Sequence, residues 1–169
     1  MIVRQERADD EHELAALIDA AFGDAETSEF TAKIRASAGY VPELTFVADD
    51  GGELVGFTML SYVNAGERSV LILTPMAVRP DRQRTGVGKQ VVQTAIAAAE
   101  ARQEPVLLVE GVPSYYPQLG FRSASQLGFE RPDSRIPEAA WMALLLRAWD
   151  PVVAAPVVYP GFFPPPPNA

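Results

Sequence analysis

Apolar and polar residues alternate along this chain with two different periods, and each change of period marks an element. Ile2 to Gln5 alternates over four residues and reads as an edge strand. Beyond it, Leu14, Leu17, Ile18 and Ala21 recur at spacings of three and four, which predicts a helix capped by Asp9 or Asp10, running to about Phe22 and ended by Gly23. A second helix is predicted from about Glu26 to Ala38, with Phe30 and Ile34 on one face and Gly39 and Pro42 closing it. Leu44 to Ala48 and Leu54 to Tyr62 then read as strands joined across Asp49-Asp50-Gly51-Gly52, a tetrapeptide suited to a hairpin. A third strand, from about Ser69 to Val78, contains Val70, Leu71, Ile72 and Leu73, continuous enough for burial on both faces.

The helical period returns from Val87 to about Ala101, where Val87, Val91, Val92, Ala95, Ile96 and Ala99 form one stripe. Val106 to Val109 follows as a short run typical of a central strand, and helix plus strand make a crossover unit. Pro113 to Leu119 predicts a short helical turn, Phe121 the start of another strand, and Ala139 to Arg147 a final strand, with Trp141 and Trp149 as packing residues. From Pro151 onward prolines crowd the chain and end in the run Pro164 to Pro167, so a domain over 1–150 is expected to give way to a Pro-rich tail over 151–169, extended or disordered at its end.

Composition narrows the chemistry. With 169 residues and 48% hydrophobic content, the size is that of one globular domain with a real core. The 22 acids against 14 lysines and arginines argue against a nucleic-acid partner, whose phosphates are bound by cations. There are no cysteines and His12 is the single histidine, which excludes thiolate nucleophiles, disulfides and His-based metal clusters. No segment has the layout of a signal peptide and no apolar run approaches the ~20 residues that span a bilayer, so the expectation is a cytoplasmic protein without a membrane partner.

Against the acidic balance stands one basic stretch, Arg79-Pro80-Asp81-Arg82-Gln83-Arg84-Thr85-Gly86-Val87-Gly88-Lys89, which joins the apolar strand ending Met76-Ala77-Val78 to the predicted helix. The first turn of a helix leaves backbone N–H groups unpaired at the positive end of its dipole, and glycines without a Cβ let an anion approach them. Neither a GxxxxGK[ST] loop nor a complete dinucleotide fingerprint is present.

What remains is QxxGxG, carried by Gln83, Gly86 and Gly88, and about thirty residues later Tyr115-Tyr116-Pro117-Gln118-Leu119-Gly120-Phe121. In this order and at this separation the two motifs resemble the acetyl-coenzyme A site of the GNAT family of N-acetyltransferases. The resemblance implies an α/β (α+β) GNAT-like three-layer fold, whose mixed, mostly antiparallel central sheet of six to seven strands has splayed central strands and flanking helices. Over most of its length the chain is similar to a compact bacterial branch of that family. There the segment before the paired tyrosines reads Gly, a polar residue, Pro and an acid, whereas Gly111-Val112-Pro113-Ser114 stands here.

The resemblance also implies residue roles. The backbone of Met76, Ala77 and Val78 would pair with the pantetheine amides, and the segment Gln83, Arg84, Thr85, Gly86, Val87, Gly88 and Lys89 would hold the pyrophosphate. Pro75, where the family has a bulge, either helps the strand splay or marks its end. Arg79, Arg82 and Arg84 either reach the 3′-phosphate or sit in solvent. Tyr116 aligns with the tyrosine that protonates the departing thiolate, while Tyr115 points elsewhere on a helical turn; a phenol with an ordinary pKa of ~10 is protonated at neutral pH. A backbone N–H of Ala77 or Val78 would stabilise the oxyanion. No carboxylate occupies the strand before the turn and the base is not identified: Glu29, on the second helix, and Glu110, at the end of the strand before Tyr116, either serve through water or are ordinary surface or structural acids.

The implied activity is transfer of an acetyl group from acetyl-coenzyme A to a primary amine of a small molecule or peptide, without a metal, by a monomer or homodimer. Two alternatives stand beside it: an acyl-coenzyme A sensor that has lost transfer, and an acyltransferase using another acyl chain or a hydroxyl acceptor.

Overall fold

The computed structural model describes residues 1–166, and Pro167, which ends the proline run, lies outside them. In chain order the elements are β1 (Ile2–Gln5), α1 (Glu11–Phe22), α2 (Glu26–Arg35), β2 (Tyr40–Asp50), β3 (Glu53–Ala65), β4 (Arg68–Val78), α3 (Val87–Ala101), β5 (Val106–Glu110), β6 (Arg122–Ser123), β7 (Trp141–Leu145) and β8 (Val157–Val158). The strands form one sheet in the order β1-β2-β3-β4-β5-β7-β6, and β8 pairs with β3 beside that path. β4 and β5 run parallel, as a helical crossover requires, while β1–β2, β2–β3, β5–β7, β6–β7 and β3–β8 are antiparallel. The eighth strand, from the Pro-rich segment, goes beyond the six to seven expected.

By compactness the chain divides into two units, Met1–Ser61 with Thr74–Ala98, and Tyr62–Leu73 with the chain from Ala99 onward. In the first unit, alternation along β3 sends Phe57 and Gly56 to opposite faces of the sheet. On the Phe57 side lie α1 and α2: the Arg35 guanidinium sits 5.8 Å from the Phe57 ring, and Glu13 accepts a hydrogen bond from the Leu54 N–H at 2.7 Å. On the Gly56 side lies α3, whose Val87, Val91, Val92, Ala95 and Ala99 are all buried. Gly51 and Gly52 both take positive φ, 72° and 97°, the conformation of a tight hairpin turn that side chains resist.

In the second unit, Val70 and Ile72 of β4, Val106 and Leu108 of β5, and Trp141 and Ala143 of β7 form a core with Phe129, Ile136 and Val157. The Trp141 indole N–H, sealed inside it, donates to the Phe129 carbonyl at 2.8 Å.

Several predicted boundaries move for local reasons. Asp10 does not cap α1 with its side chain; its carboxylate accepts from the Arg4 guanidinium at 2.7 and 2.9 Å and from the Arg7 N–H at 2.7 Å, closing a 3-10 turn over Ala8–Asp10. α2 stops at Arg35 rather than Ala38, with the Ser37 hydroxyl donating to the Ile34 carbonyl at 2.7 Å. β2 begins four residues earlier than predicted, because the register shift between Tyr40 and Thr45 accommodates Pro42. Pro75 does not end β4. The ladder with β5 covers Leu71–Leu73 against Leu107–Val109, and the strand then continues through Pro75 to Val78. Pro137 opens a 3-10 turn over Glu138–Ala140, so the final predicted strand shortens to Trp141–Leu145.

Candidate active site

The basic stretch folds as a 3-10 turn over Pro80–Arg82 followed by an open turn into α3. Its chain direction is fixed by hydrogen bonds at both ends. The Arg79 N–H donates to the Val55 carbonyl at 3.0 Å, and the Gln83 side chain reaches back to the Val78 carbonyl at 3.2 Å. The Thr85 hydroxyl donates to the Arg82 carbonyl at 2.6 Å. The φ angle then changes sign at each step: Arg84 stands at 59°, Thr85 is not left-handed, and Gly86 stands at 94°. Such alternation turns successive N–H groups toward one side, the geometry of an anion-binding nest.

Gly86 supplies the first helical acceptor, to the Gln90 N–H at 3.1 Å, so the N–H groups of Val87, Gly88 and Lys89 begin α3 without helical partners. A Cβ built on Gly86 would meet nothing within 4 Å. The glycine is therefore required by its φ, and the space above it is free.

The cations of this stretch sort into two pairs. Arg79 binds Asp81 at 2.7 Å and Glu53 at 3.1 Å, and Arg82 binds Asp50 at 2.7 Å. Both brace the turn against the β2–β3 hairpin, and Arg82 helps hold the Asp50 carboxyl below its ordinary range. Arg84 and Lys89 are exposed and make no ion pair among the described residues. Of the three arginines considered for a phosphate, Arg84 alone keeps an uncommitted charge, with Lys89 beside it.

Met76, Ala77 and Val78 lie beyond the β4–β5 ladder, with Ala77 buried and its neighbours half-buried. The contact that seats α3, and with it the turn, was not foreseen. A Cβ on Gly56 would fall 2.5 Å from Val87 Cγ1 and 3.3 Å from the Ala48 Cβ, so only a glycine lets the helix settle this closely on β3. A lone glycine inside an apolar strand was its sequence signal.

The tyrosine segment is built in the second unit. Gly111 follows β5, and the Tyr115 and Tyr116 N–H groups both donate to the Val112 carbonyl, at 3.0 and 3.3 Å. Tyr116–Leu119 makes a 3-10 turn that Gly120 ends with a φ of 93°. The Tyr116 ring is 5% exposed, edge-on to Tyr115 at 5.1 Å and to Phe121 at 5.3 Å. A Cβ on Gly111 would lie 2.3 Å from that ring, so the glycine is the floor on which the phenol rests.

The two hydroxyls differ. That of Tyr115 is sealed from solvent without a partner among the described residues, whereas that of Tyr116 is not sealed and makes no hydrogen bond among those residues. Burial pushes the Tyr116 phenol well above its ordinary range, so it stays protonated throughout neutral pH.

Of the two carboxylates considered as bases, Glu29 is exposed on α2 without a side-chain partner among the described residues. Glu110, the last residue of β5, accepts a hydrogen bond from the Tyr159 hydroxyl at 3.2 Å, and partial desolvation raises its carboxyl above the usual range. Among the described residues no group of three or more His, Cys, Asp or Glu side chains is placed to hold a metal. Among those residues, too, no helix is long and apolar enough to cross a membrane.

Residues 42–123, which include both segments, match the family model for an acetyltransferase (GNAT) domain. An uncharacterized N-acetyltransferase of Escherichia coli K12, YjhQ, is 31% identical over 136 residues, covering 76% of this chain and 75% of the relative. Two solved structures share the fold. The GNAT family N-acetyltransferase YhbS of Escherichia coli, crystallised with CoA, superposes with a TM-score of 0.86 at 20% identity over 95% of this chain and 90% of its own. A GNAT family acetyltransferase of Brucella melitensis, crystallised with acetyl-CoA, superposes with a TM-score of 0.78 at 22% identity over 96% and 97%.

Proposed function

The chain belongs to the GNAT family of acetyltransferases, and we propose that within it the protein moves an acetyl group from acetyl-coenzyme A directly to a primary amine of a small molecule or peptide. The observation that carries this reading is the open turn of Arg84–Gly86. It combines alternating φ, free helix-start N–H groups and two cations with no carboxylate partner among the described residues, in a chain of net charge −8. A pyrophosphate fits that donor set, and the vacant volume above Gly86 leaves room for it.

In this reading Gln83, Arg84, Thr85, Gly86, Val87, Gly88 and Lys89 hold the pyrophosphate, mostly through backbone, while Arg79 and Arg82 keep the turn in shape. Met76, Ala77 and Val78 offer strand-edge backbone to the pantetheine amides, and a backbone N–H of Ala77 or Val78 stabilises the carbonyl oxygen as it gains charge. The bound cosubstrate supplies the acyl group as a thioester, activated toward a nitrogen nucleophile.

Tyr116 acts on the leaving sulfur by a hydrogen bond. A thiol near pKa ~8.5 is already a stronger acid than a phenol near ~10, and burial raises the phenol further, so complete proton transfer from Tyr116 is uphill. The hydroxyl therefore stabilises developing negative charge, and the sulfur leaves as thiolate, taking up from solvent the equivalent of the proton that the amine nitrogen gives to it.

A second reading is an acyl-coenzyme A sensor. Val112, 59% exposed, and Ser114 stand where the similar bacterial branch carries a polar residue and an acid, which removes one polar side chain and one carboxylate before the tyrosines. One experiment separates the readings: calorimetry with acetyl-coenzyme A, followed by coenzyme A release with a panel of primary amines and amino-terminal peptides. Micromolar binding with release on at least one amine is expected. Binding without release on any amine would favour the sensor, and no binding would remove both.

A further inference from the structure

Beneath α2, in the first unit, polar side chains are sealed without finding all their partners. The face of the sheet that carries Phe57 also carries Tyr40, opposite Ser61, and Thr45, opposite Met59. Glu6 follows β1 and is held to this layer by its N–H, which donates to the Thr45 carbonyl at 2.9 Å. Arg35, the last residue of α2, lays its guanidinium over the Phe57 ring and donates from Nη2 to Glu6 Oε1 at 2.5 Å. A guanidinium and a carboxylate commonly close two parallel hydrogen bonds. Here one arm is closed, and Arg35 Nε and Glu6 Oε2 are both sealed from solvent with no partner among the described residues. The Ser61 hydroxyl, on a residue 2% exposed, is sealed and unpaired among those residues in the same way.

Sealed polar atoms without partners are costly, and a half-closed ion pair leaves a definite pattern: one N–H donor and one carboxylate acceptor, on two groups held together, with no net charge. An ammonium group would be opposed there by Arg35 and a carboxylate by Glu6. A primary carboxamide suits both, its N–H donating to Oε2 and its carbonyl accepting from Nε. Because these atoms are sealed, the helix end has to lift for such a group to enter. α2 is the more weakly anchored of the two helices on this face. It buries only Thr31 and Ile34, and the Thr31 hydroxyl is taken up by the Thr27 carbonyl at 2.7 Å, whereas α1 buries Leu14, Leu17 and Ile18. The floor of the site is tied to the part of β4 that would offer backbone to the pantetheine. The Arg79 N–H donates to the Val55 carbonyl at 3.0 Å, and the Thr58 hydroxyl to the Pro75 carbonyl at 3.4 Å.

We propose that the end of α2 is a lid over a recognition site for a neutral primary carboxamide, floored by Glu6, Tyr40 and Ser61, and that the acceptor amine carries this group. The proposal rests on the transfer reading above and names its substrate class, an amine whose carbon chain ends in a carboxamide. No bond forms or breaks at this site. Glu6 and Arg35 determine specificity and touch no reacting atom. The surroundings keep the site close to neutral: Arg35 faces Glu6, and Asp10, which acts on Glu6 through space, is itself bound by Arg4 at 2.7 Å. Burial and the Glu6 charge raise the Tyr40 phenol, so it stays protonated as a further neutral neighbour.

Two measurements on the full chain test this, with ω-amino carboxamides of increasing length from β-alaninamide upward and their matched ω-amino acids and alkylamines as probes. Without acetyl-coenzyme A, amide hydrogen exchange is expected to be faster in α2 than in α1, and to slow in α2 by roughly threefold with a carboxamide but not with the other probes. Glu6→Gln puts an N–H where the second oxygen stood, so both free arms donate, and the preference is expected to pass from carboxamide to carboxylate. Arg35→Lys keeps the charge but lacks Nε, and should lose the preference for the carboxamide. No effect of any carboxamide on α2, or the same preference in both variants as in wild type, would overturn the site. So would a crystal structure of the free protein in which Glu6 and Arg35 close both arms on each other. In the amine assay, the best carboxamide is expected to have a KM about tenfold below that of its alkylamine with similar kcat, a difference that Glu6→Gln removes. Equal KM values would overturn the assignment of this group to the acceptor. If coenzyme A binds but no amine is acetylated, the transfer reading fails, while the exchange experiment still decides whether the carboxamide site exists.

Discussion

The turn after β4 and the segment after β5 each follow a buried strand and each depend on a glycine, but the glycines serve opposite ends. At Gly86 the left-handed backbone looks into space empty to 4 Å, and the exposed charges beside it, Arg84 and Lys89, make no ion pair among the described residues. At Gly111 the missing Cβ is filled by an aromatic ring within 2.3 Å, and that ring is almost wholly withdrawn from water. An anion receptor has to keep its donors unsatisfied until the ligand arrives. A hydrogen-bond donor to a reacting atom gains instead from enclosure, since a low-dielectric setting strengthens its contact and a packed ring fixes its aim.

This contrast can be broken by substitutions that should affect one region and spare the other. The largest effect is expected for Tyr116→Phe, which removes the hydroxyl but keeps the packed ring: kcat falls by about 10² to 10³-fold while the Kd for acetyl-coenzyme A, read by calorimetry, stays within twofold. Equal rates in variant and wild type would leave the phenol as a wall residue.

Next is Gly86→Asp, where a carboxylate in the nest opposes the pyrophosphate at a cost of about 3 kcal/mol, roughly a hundredfold in Kd. The melting temperature should drop only slightly, because the new side chain meets open space and aspartate tolerates a left-handed backbone better than most residues. Undiminished affinity in the folded variant would remove the turn from the site.

The smallest effect sharpens the division among the cations. Arg84→Ala and Lys89→Ala are each expected to weaken binding by about 1 kcal/mol, roughly fivefold, and to flatten its salt dependence. Arg79→Ala and Arg82→Ala should leave the salt dependence close to wild type, since their charges are already offset by Asp81, Glu53 and Asp50. The same salt slope for all four variants would show that the ion pairs do not persist in solution.

The two regions also differ in how far they could be read from the chain. The turn was legible because its features are local: an apolar strand, a cation-rich loop with two glycines and an amphipathic helix occupy one stretch of sequence, and α3 spans the predicted Val87 to Ala101. The tyrosine segment was legible as a motif, but not its packing. Nothing in Tyr115-Tyr116 says that one hydroxyl is sealed and the other is not.

What the amino-acid order determined by itself is therefore the periodic and the local: the helices and most strands, the positive-φ glycines of the hairpin and the turn, and the position of free donors at a helix start. Backbone sterics and hydrogen-bond satisfaction act over a few residues, so neighbours in sequence suffice to specify them. Tertiary structure decided which arginines are neutralised, by carboxylates as far away as Glu53 and Asp50. It also decided that Gly56 admits Val87, and that a tyrosine from the Pro-rich segment meets Glu110. Ion pairing and close packing depend on distances in space between residues tens of positions apart, and only the folded sheet sets those distances.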